Sequence, residues 1–150
     1  MIEISNFNKR LTESEKERAS YSYLMSIVVL LVGLPLPIVN LISTFFFYIA
    51  NRNNTFFVRW HCIQSLISQL SVFFVNTVGF WWTISIIFGS NEVSNLYISY
   101  VLAAIIFNIW EFVVTFYTAT KVRKGIHISW WFYGDITNLI VKNNDRETDF

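Results

Sequence analysis

Two long stretches of this sequence contain no charged side chain. Asp, Glu, Lys and Arg are absent from residues 19–51 and again from residues 60–91, and a third stretch, residues 96–120, is interrupted only by Glu111. A helix needs about 20 apolar residues to cross a bilayer, so each stretch is long enough. Only 14% of the chain is charged, whereas soluble domains average about 25%. We therefore predict an all-α membrane protein, a helical bundle with two long transmembrane helices, rather than a soluble helical core.

A helix break interrupts the first apolar block, residues 21–50. Gly33, Pro35 and Pro37 lie near its middle, and proline both lacks a helix N–H and clashes with the preceding turn. Either one kinked helix crosses the membrane, or two short helices form a hairpin with its tip at residues 33–37. Each arm of the hairpin would be about 20 Å long. Because the hydrocarbon core is roughly 30 Å thick, such a hairpin would be re-entrant.

Polar side chains recur along the predicted central helix, residues 57–88, and along the last apolar helix, residues 96–120. Steps of three and four residues place them on one helical face. Polar groups within lipid mark either a packing seam or a functional path, and both interpretations stay open. Gly79, just before two tryptophans, could mark a second helix break. The predicted intramembrane polar seam comprises His61, Gln64, Ser65, Ser68, Asn76, Asn108, Glu111 and Thr115.

Glu111 is the one ionisable residue well inside an apolar block. Such a group normally faces the interior of a helix bundle and needs a partner. The candidate partners are Asn76, Gln69 and Asn40. Their pairing could fix the helix packing, Glu111 could form a proton or cation site, or it could contact another subunit.

Charged and aromatic residues flank the apolar blocks. Residues 1–20 form a polar surface segment, in which Thr12 and Glu15 resemble a capping box and predict a helix start near Leu11. Residues 126–141 form an aromatic interfacial segment with a short amphipathic helix, and residues 142–150 form a polar tail. The residues predicted at the membrane surface are Arg52, Arg59, Lys121, Arg123, Lys124, Trp130 and Trp131.

The distribution of Lys and Arg indicates an orientation. Four basic residues precede the first block, two lie within residues 51–60, three lie just after residue 120, within residues 121–124, and residues 89–95 have none. If the first block returns to its own side, every basic segment lies on one face of the membrane, as the positive-inside bias requires. We therefore predict the hairpin, with both termini on the cytoplasmic side of a bacterial inner membrane.

The sequence disfavours several functional classes. The net charge is +1, with no basic concentration beyond the segment ends, so nucleic acid is not an expected partner. Cys62 is the only cysteine, so no intrachain disulfide can form. His61 and His127 are far apart in sequence, and neither a nucleophile motif nor a carboxylate pair accompanies them. We expect no enzyme activity, no cofactor and no metal site.

Three short motifs resemble those of the Tic-twenty-like family, which comprises the small helical subunit of the chloroplast inner-envelope translocon and its bacterial relatives. They are GLPLPIVN beginning at Gly33, FVRWHCIQ beginning at Phe57, and the basic exit ATKVRKG beginning at Ala119. The resemblance spans residues 21–141 and departs from the family at Ser65, where an Ala-Leu run is usual. It implies four membrane segments with both ends on one side, no cofactor and no catalytic residue. For the chloroplast member it implies a role in protein import.

Two functions follow as hypotheses. Small size, the polar seam and the aromatic surfaces favour a non-catalytic accessory subunit of a larger membrane complex, such as one that translocates or inserts proteins. Its partners would be membrane lipids and other membrane protein subunits. The alternative is a small oligomeric transporter or channel that uses the polar seam, Glu111 and the broken first helix, a device found at transporter substrate sites.

Overall fold

The computed structural model describes residues 2–6, 11–31, 37–89 and 92–147. Within these ranges the chain is mostly helical. Its elements, in chain order, are β1 (Ile2–Asn6), α1 (Glu13–Leu31), α2 (Pro37–Asn51), α3 (Phe56–Phe88), α4 (Asn95–Arg123), β2 (Ile126–Trp130) and α5 (Trp131–Glu147).

Helix α1 begins with the capping box that the sequence predicts. The Thr12 N–H donates to Glu15 Oε2 over 2.7 Å, and the Glu15 N–H donates to Thr12 Oγ1 over 3.3 Å. Each side chain thereby satisfies a backbone donor that lacks a partner within the helix. On the same turn, the hydrogen bond from Lys16 holds the pKa of Glu13 below its usual value.

Helices α1 and α2 form a hairpin rather than one kinked helix. Helix α2 begins at Pro37, a first-turn position where a missing N–H has no helical partner to lose. Arg18, near the start of α1, donates from Nη1 to Oδ1 of Asn51 at the end of α2, over 3.4 Å. The first apolar block therefore returns to the end from which it starts. The other two residues of the predicted break, Gly33 and Pro35, lie outside the described residues.

Helices α3 and α4 are the longest elements and run antiparallel. The hydroxyls of Thr83 and Tyr97 are 3.0 Å apart near one end of this pair. Helix α3 continues through Gly79, so the interpretation of Gly79 as a second break is wrong. A Cβ at Gly79 would lie 3.3 Å from Cε1 of Tyr100, so this glycine allows the Tyr100 ring to pack closely on α3.

Both α3 and α4 are long and apolar enough to cross a membrane. Only 6% of the most apolar 18-residue window of α3, and 11% of that of α4, is buried within the fold. The core helix of a soluble protein would be mostly buried. Large contiguous apolar surfaces normally contact lipid or another protein. The exposed side chains include Phe74, Trp81, Phe88, Ile106 and Trp110.

A two-stranded antiparallel ribbon joins the first described residues to the segment that follows α4. Strand β1 pairs with β2, with Ile2 opposite Trp130 and Asn6 opposite Ile126. The expectation of an all-α fold is therefore wrong at this point, and the predicted interfacial segment begins as a strand before it continues as α5. Arg123, at the end of α4, donates to Oε1 of Glu17 in α1 over 2.9 Å. We call this part of the molecule, with β1, β2 and α5, the ribbon end, and the opposite part around residues 89–94 the loop end.

The turn from α4 into β2 depends on Gly125. Its φ is +78°, in the left-handed region that residues with a Cβ adopt only at a cost. Its N–H donates to the Val122 carbonyl over 2.9 Å and so satisfies an acceptor in the last turn of α4. The chain can therefore leave the helix abruptly and enter the strand.

The α1–α2 hairpin is shorter than the α3–α4 pair. Ile27 of α1 and Asn40 of α2 line the same small cavity as Gln69 of α3 and Glu111 of α4. Beyond this level α3 continues to its end for about 28 Å, whereas the described part of α1 continues for about 6 Å. Toward the loop end, the described structure is therefore mainly a two-helix hairpin of α3 and α4.

Candidate functional site

Gln64 joins α3 to the ribbon. Its side chain is fully buried. Its Nε2 donates to the Ile128 carbonyl over 3.2 Å, and its Oε1 accepts from the Trp130 N–H over 3.1 Å. A backbone carbonyl only accepts and a backbone N–H only donates, so the two contacts fix the orientation of the amide. Gln64 thus bonds one edge of β2 as a neighbouring strand would.

Hydrogen bonds run from Gln64 through Tyr23 to two histidines. Nε2 of Gln64 donates to the Tyr23 hydroxyl over 2.8 Å, and this hydroxyl lies 2.9 Å from Nδ1 of His61. Nε2 of His61 is 3.3 Å from Nδ1 of His127. When the hydroxyl proton points at His61, that ring carries its own proton on Nε2 and donates it to His127. Both histidines are neutral in this arrangement.

Aromatic rings enclose the histidine pair. The ring centroid of Phe57 lies 4.6 Å from that of His61, and the centroid of Trp60 lies 4.3 Å from that of His127. His61 is fully buried, so its nitrogens do not meet solvent. In the part of the chain that the structure describes, no group of three His, Cys, Asp or Glu side chains could hold a metal ion. The contacts of the pair join Tyr23 of α1, His61 of α3 and His127 of β2, so they form a structural tie between these three elements.

Four more side-chain hydrogen bonds surround this network. They connect α1 to α4 and α3, α4 to β2, and α3 to α5, each over a distance below 3 Å. The donors and acceptors are Ser20 Oγ and the Ala119 carbonyl (2.9 Å), Ser65 Oγ and the Ser22 carbonyl (2.8 Å), Trp130 Nε1 and Thr118 Oγ1 (2.8 Å), and Trp60 Nε1 and Asn138 Oδ1 (2.8 Å). Buried polar groups that are bonded to each other hold helices in one register. The ribbon end is therefore fixed by polar contacts as well as by apolar packing.

Ser68 bonds Glu111, although the sequence suggested other partners. The Ser68 hydroxyl donates to Oε1 of Glu111, whose side chain is 5% exposed. Asn76, an expected partner of Glu111, pairs instead with Asn108. Each amide nitrogen of that pair donates to the oxygen of the other, over 2.9 Å and 2.8 Å. The axial register of α3 against α4 decides which polar residues meet.

A small cavity lies beside Glu111, among helices α1, α2, α3 and α4. Its volume is about 30 Å³, room for about one or two water molecules and not for a continuous aqueous path. Asn40 and Gln69, the other two expected partners of Glu111, line this cavity. Thr115 also lines it, and its buried hydroxyl has no hydrogen-bond partner among the described residues.

A larger cleft opens on the other side of Glu111, between α4 and the junction of β2 with α5. Its volume is about 610 Å³. Burial raises the pKa of the Tyr133 hydroxyl, which lines this cleft, above its ordinary value of 10, so the hydroxyl stays protonated at neutral pH. We call this feature the aromatic cleft; its lining residues are Phe107, Trp110, Glu111, Val114, Trp130, Trp131, Phe132 and Tyr133.

The structure divides the predicted polar seam into two groups. His61, Gln64 and Ser65 belong to the network at the ribbon end. The members that lie further along, between α3 and α4, are Ser68, Asn76, Asn108, Glu111 and Thr115. Sequence reasoning missed Tyr23 and His127 as members of the first group. The alternation of apolar and polar residues in residues 126–129 was the available signal, because it places His127 on a strand face opposite to Ile128.

The predicted surface residues cluster at the ribbon end, with one correction. Trp130 is 4% exposed, and its indole N–H donates to Thr118 inside the fold, so its ring is a core side chain. The strand places Trp130 toward α4, whereas Trp131, the first residue of α5, is 76% exposed. The residues that are at least partly accessible are Arg52, Arg59, Lys121, Arg123, Lys124 and Trp131.

Comparison with known proteins gives no relative. The chain matches no protein-family model, no curated protein and no solved structure. The likeness to the Tic-twenty-like family therefore stays a prediction, and a function has to be argued from the geometry.

Proposed function

We propose that this chain is a non-catalytic integral membrane protein that serves as an accessory subunit of a larger membrane complex. The observation that carries the proposal is the apolar surface of α3 and α4, of which the fold buries 6% and 11% of the most apolar windows. The polar side chains of the same helices turn toward each other, as Ser68 does toward Glu111. Apolar atoms outside and paired polar atoms inside are the arrangement that lipid requires.

The ribbon end is the cytoplasmic end in this proposal. Lys121 and Lys124 close α4 there, where cations meet headgroups. Helices α3 and α4 cross the membrane, and the α1–α2 hairpin enters from the cytoplasmic side and returns. Both termini then lie in the cytoplasm, and the bacterial inner membrane is the membrane proposed.

A topology map tests this orientation. In a Cys62→Ala background, we expect a cysteine at Val93 to react with a membrane-impermeant maleimide in intact cells. A cysteine at Asn53 should react only after the membrane is permeabilised, because it lies at the ribbon end. Labelling of the cysteine at position 53 in intact cells would overturn the orientation. Release of the intact chain by alkaline carbonate would overturn the membrane assignment itself.

The α3–α4 hairpin at the loop end supports the role of a subunit. Its exposed face includes Val78 on α3, and Ile98 and Leu102 on α4, which are 53%, 47% and 56% exposed. Past the small cavity, the described part of α1 extends about 6 Å and that of α2 about 4.5 Å, so they leave this face open. A helix of a partner protein could pack there by van der Waals contact, as membrane helices do. Translocation or insertion of proteins is the activity that the family resemblance would assign to such a complex.

Purification from native membranes in a gentle detergent tests the subunit role. We expect partner proteins at fixed stoichiometry with the unmodified chain, and their loss with Ile98→Ala combined with Leu102→Ala. Ile42→Ala on α2, which is similarly exposed at 44%, is the matched control and should keep the partners. A monodisperse monomer without partners would contradict the proposal.

A small transporter or channel is the second candidate. The cavity of about 30 Å³ beside Glu111, with the unpaired Thr115 hydroxyl in its wall, favours it. The size of that cavity favours the subunit role instead, because the described residues leave room there for about one or two water molecules and not for a metabolite. Reconstituted vesicles should show flux that Glu111→Gln changes if transport is the function. The absence of flux for ions and common metabolites would remove this candidate.

A further inference from the structure

Glu111 has one carboxylate oxygen that the described residues leave without a hydrogen bond. Its Oε1 accepts from Ser68, and none of the residues in the described ranges donates to Oε2. The side chain is nevertheless 5% exposed. A buried acidic group is costly unless its oxygens find donors. Oε2 of Glu111 can therefore accept a further hydrogen bond.

The aromatic cleft gives a ligand access to this carboxyl. Its volume of about 610 Å³ falls within the roughly 300–1,000 Å³ of small-molecule sites, which are mostly apolar with few polar groups. Three of its wall residues are also exposed to the exterior: Trp110 at 64%, Trp131 at 76% and Phe132 at 65%. Among the described residues that line the cleft, Glu111 is the one carboxylate, so one acidic group meets an otherwise apolar and aromatic surface.

The depth of the cleft defines where a ligand comes from. On α4 the cleft extends between Phe107 and Val114, about 14 to 24 Å along the helix from Arg123. With Arg123 at the headgroups, this depth lies in the acyl-chain region around the middle of the hydrocarbon core, which is about 30 Å thick. A ligand therefore enters from the lipid phase and has to be mostly apolar.

We propose that the aromatic cleft binds a single-chain amphiphile that carries a primary amine, with its chain against the aromatic wall and its amine donating to Glu111. Charge complementarity selects the amine, because an ammonium group supplies a hydrogen-bond donor for Oε2 and a charge opposite to that of the Glu111 carboxylate. An alcohol would supply the donor alone, and a fatty acid would add a second carboxylate. The inference rests on the proposed membrane location and is independent of whether the chain belongs to a complex.

Tryptophan fluorescence of the full chain in nanodiscs of zwitterionic lipid tests the site. The probe is dodecylamine with a nitroxide on its chain, which quenches nearby indoles. We expect saturable quenching, and an affinity that falls about tenfold or more in Glu111→Gln, because a hydrogen bond to a charged group is lost. Glu92→Gln, in the exposed loop at the other end of α3 and α4, is the matched control and should bind as the unmodified chain does. Nitroxide-labelled dodecanol and dodecanoic acid should bind at least tenfold more weakly than the amine.

A second variant separates loss of binding from loss of folding. Trp131→Ala removes an exposed wall residue, so it should leave the helical circular dichroism unchanged and lower the affinity for the amine. Equal quenching by all three probes would mean that they only partition into lipid, and this would overturn the proposal. An unchanged affinity in Glu111→Gln would also overturn it. If the amine does not bind but a transmembrane peptide with a central lysine crosslinks to Phe132, the cleft is a subunit contact and the proposal is wrong. Co-purification of partners is measured separately, so failure here does not decide the proposed subunit role.

Discussion

Replacing Gln64 with leucine tests whether one buried amide holds the ribbon to the helices. Leucine has a similar volume and suits the buried position, so the substitution removes polar contacts with little change in packing. The Ile128 carbonyl and the Trp130 N–H both lose their bonds to this side chain. A buried backbone group that loses its partner costs about 1–3 kcal/mol. We therefore expect a loss of about 2–6 kcal/mol in the free energy of unfolding.

Gln69→Leu is the matched control for this measurement. Gln69 lies on the same helix and is 6% exposed, but it faces the small cavity and no described residue hydrogen-bonds its side chain. We expect its replacement to change the free energy of unfolding by less than about 1 kcal/mol. Both variants would be unfolded by titration with denaturing detergent from mild micelles, followed by circular dichroism. Amide hydrogen exchange at Trp130 provides a local measurement and should accelerate only in Gln64→Leu.

Two results would refute this reasoning. If both glutamine variants lose the same stability, the cost comes from replacing a polar residue in α3 and not from the ribbon contacts. If Gln64→Leu is as stable as the unmodified chain while the Trp130 amide stays protected from exchange, another group hydrogen-bonds the backbone of β2. The side-chain amide of Gln64 is then dispensable.

Further expectations concern the helix pair and the turn after α4. Asn76→Ala and Asn108→Ala should each lower the free energy of unfolding by about 0.5–2 kcal/mol, and the double variant should lose less than the sum, because both substitutions remove the same reciprocal amide pair. The detergent titration measures this coupling, and strict additivity of the two losses would contradict it. Gly125→Ala should cost about 1–2 kcal/mol because φ there is positive, whereas Gly125→Asn should cost less, since asparagine tolerates the left-handed conformation; equal stability of the two variants would argue against a conformational cause. Lys16→Gln should raise the pKa of Glu13 toward its ordinary value, as measured by NMR titration, because the Lys16 hydrogen bond is what lowers it.

The local features of the fold could be read from the sequence because they depend on neighbours in the chain. The capping pair of Thr12 and Glu15 is three residues apart, and α2 begins at Pro37, the second proline of the predicted break. The residues of the seam were found from helical spacing alone, and His61, Gln64 and Ser68 are indeed buried. A polar side chain in a long apolar helix normally faces the interior of the bundle, where it pairs with other polar groups.

The features that the sequence did not reveal depend on contacts between distant segments. The alternation in IEISN and IHISW was visible, but the two strands are more than 100 residues apart, and neither would be stable as a strand alone. The partner of Glu111 depends on the axial register of α4 against α3, and this register cannot be read from the spacing of residues within one helix. Trp130 was assigned to the surface because aromatics beside basic residues usually lie there. Its place on a strand turns it inward instead.

The amide of Gln64 also limits what can join the ribbon. An open strand edge presents unpaired N–H and C=O groups, which recruit extended segments from other chains and promote aggregation. Because one glutamine side chain already occupies the edge of β2 that faces the helices, a foreign strand cannot extend the sheet between the ribbon and the bundle. Growth of the sheet is confined to the outer edge of β1, and a single side chain thus protects an edge that other proteins cover with a helix or loop.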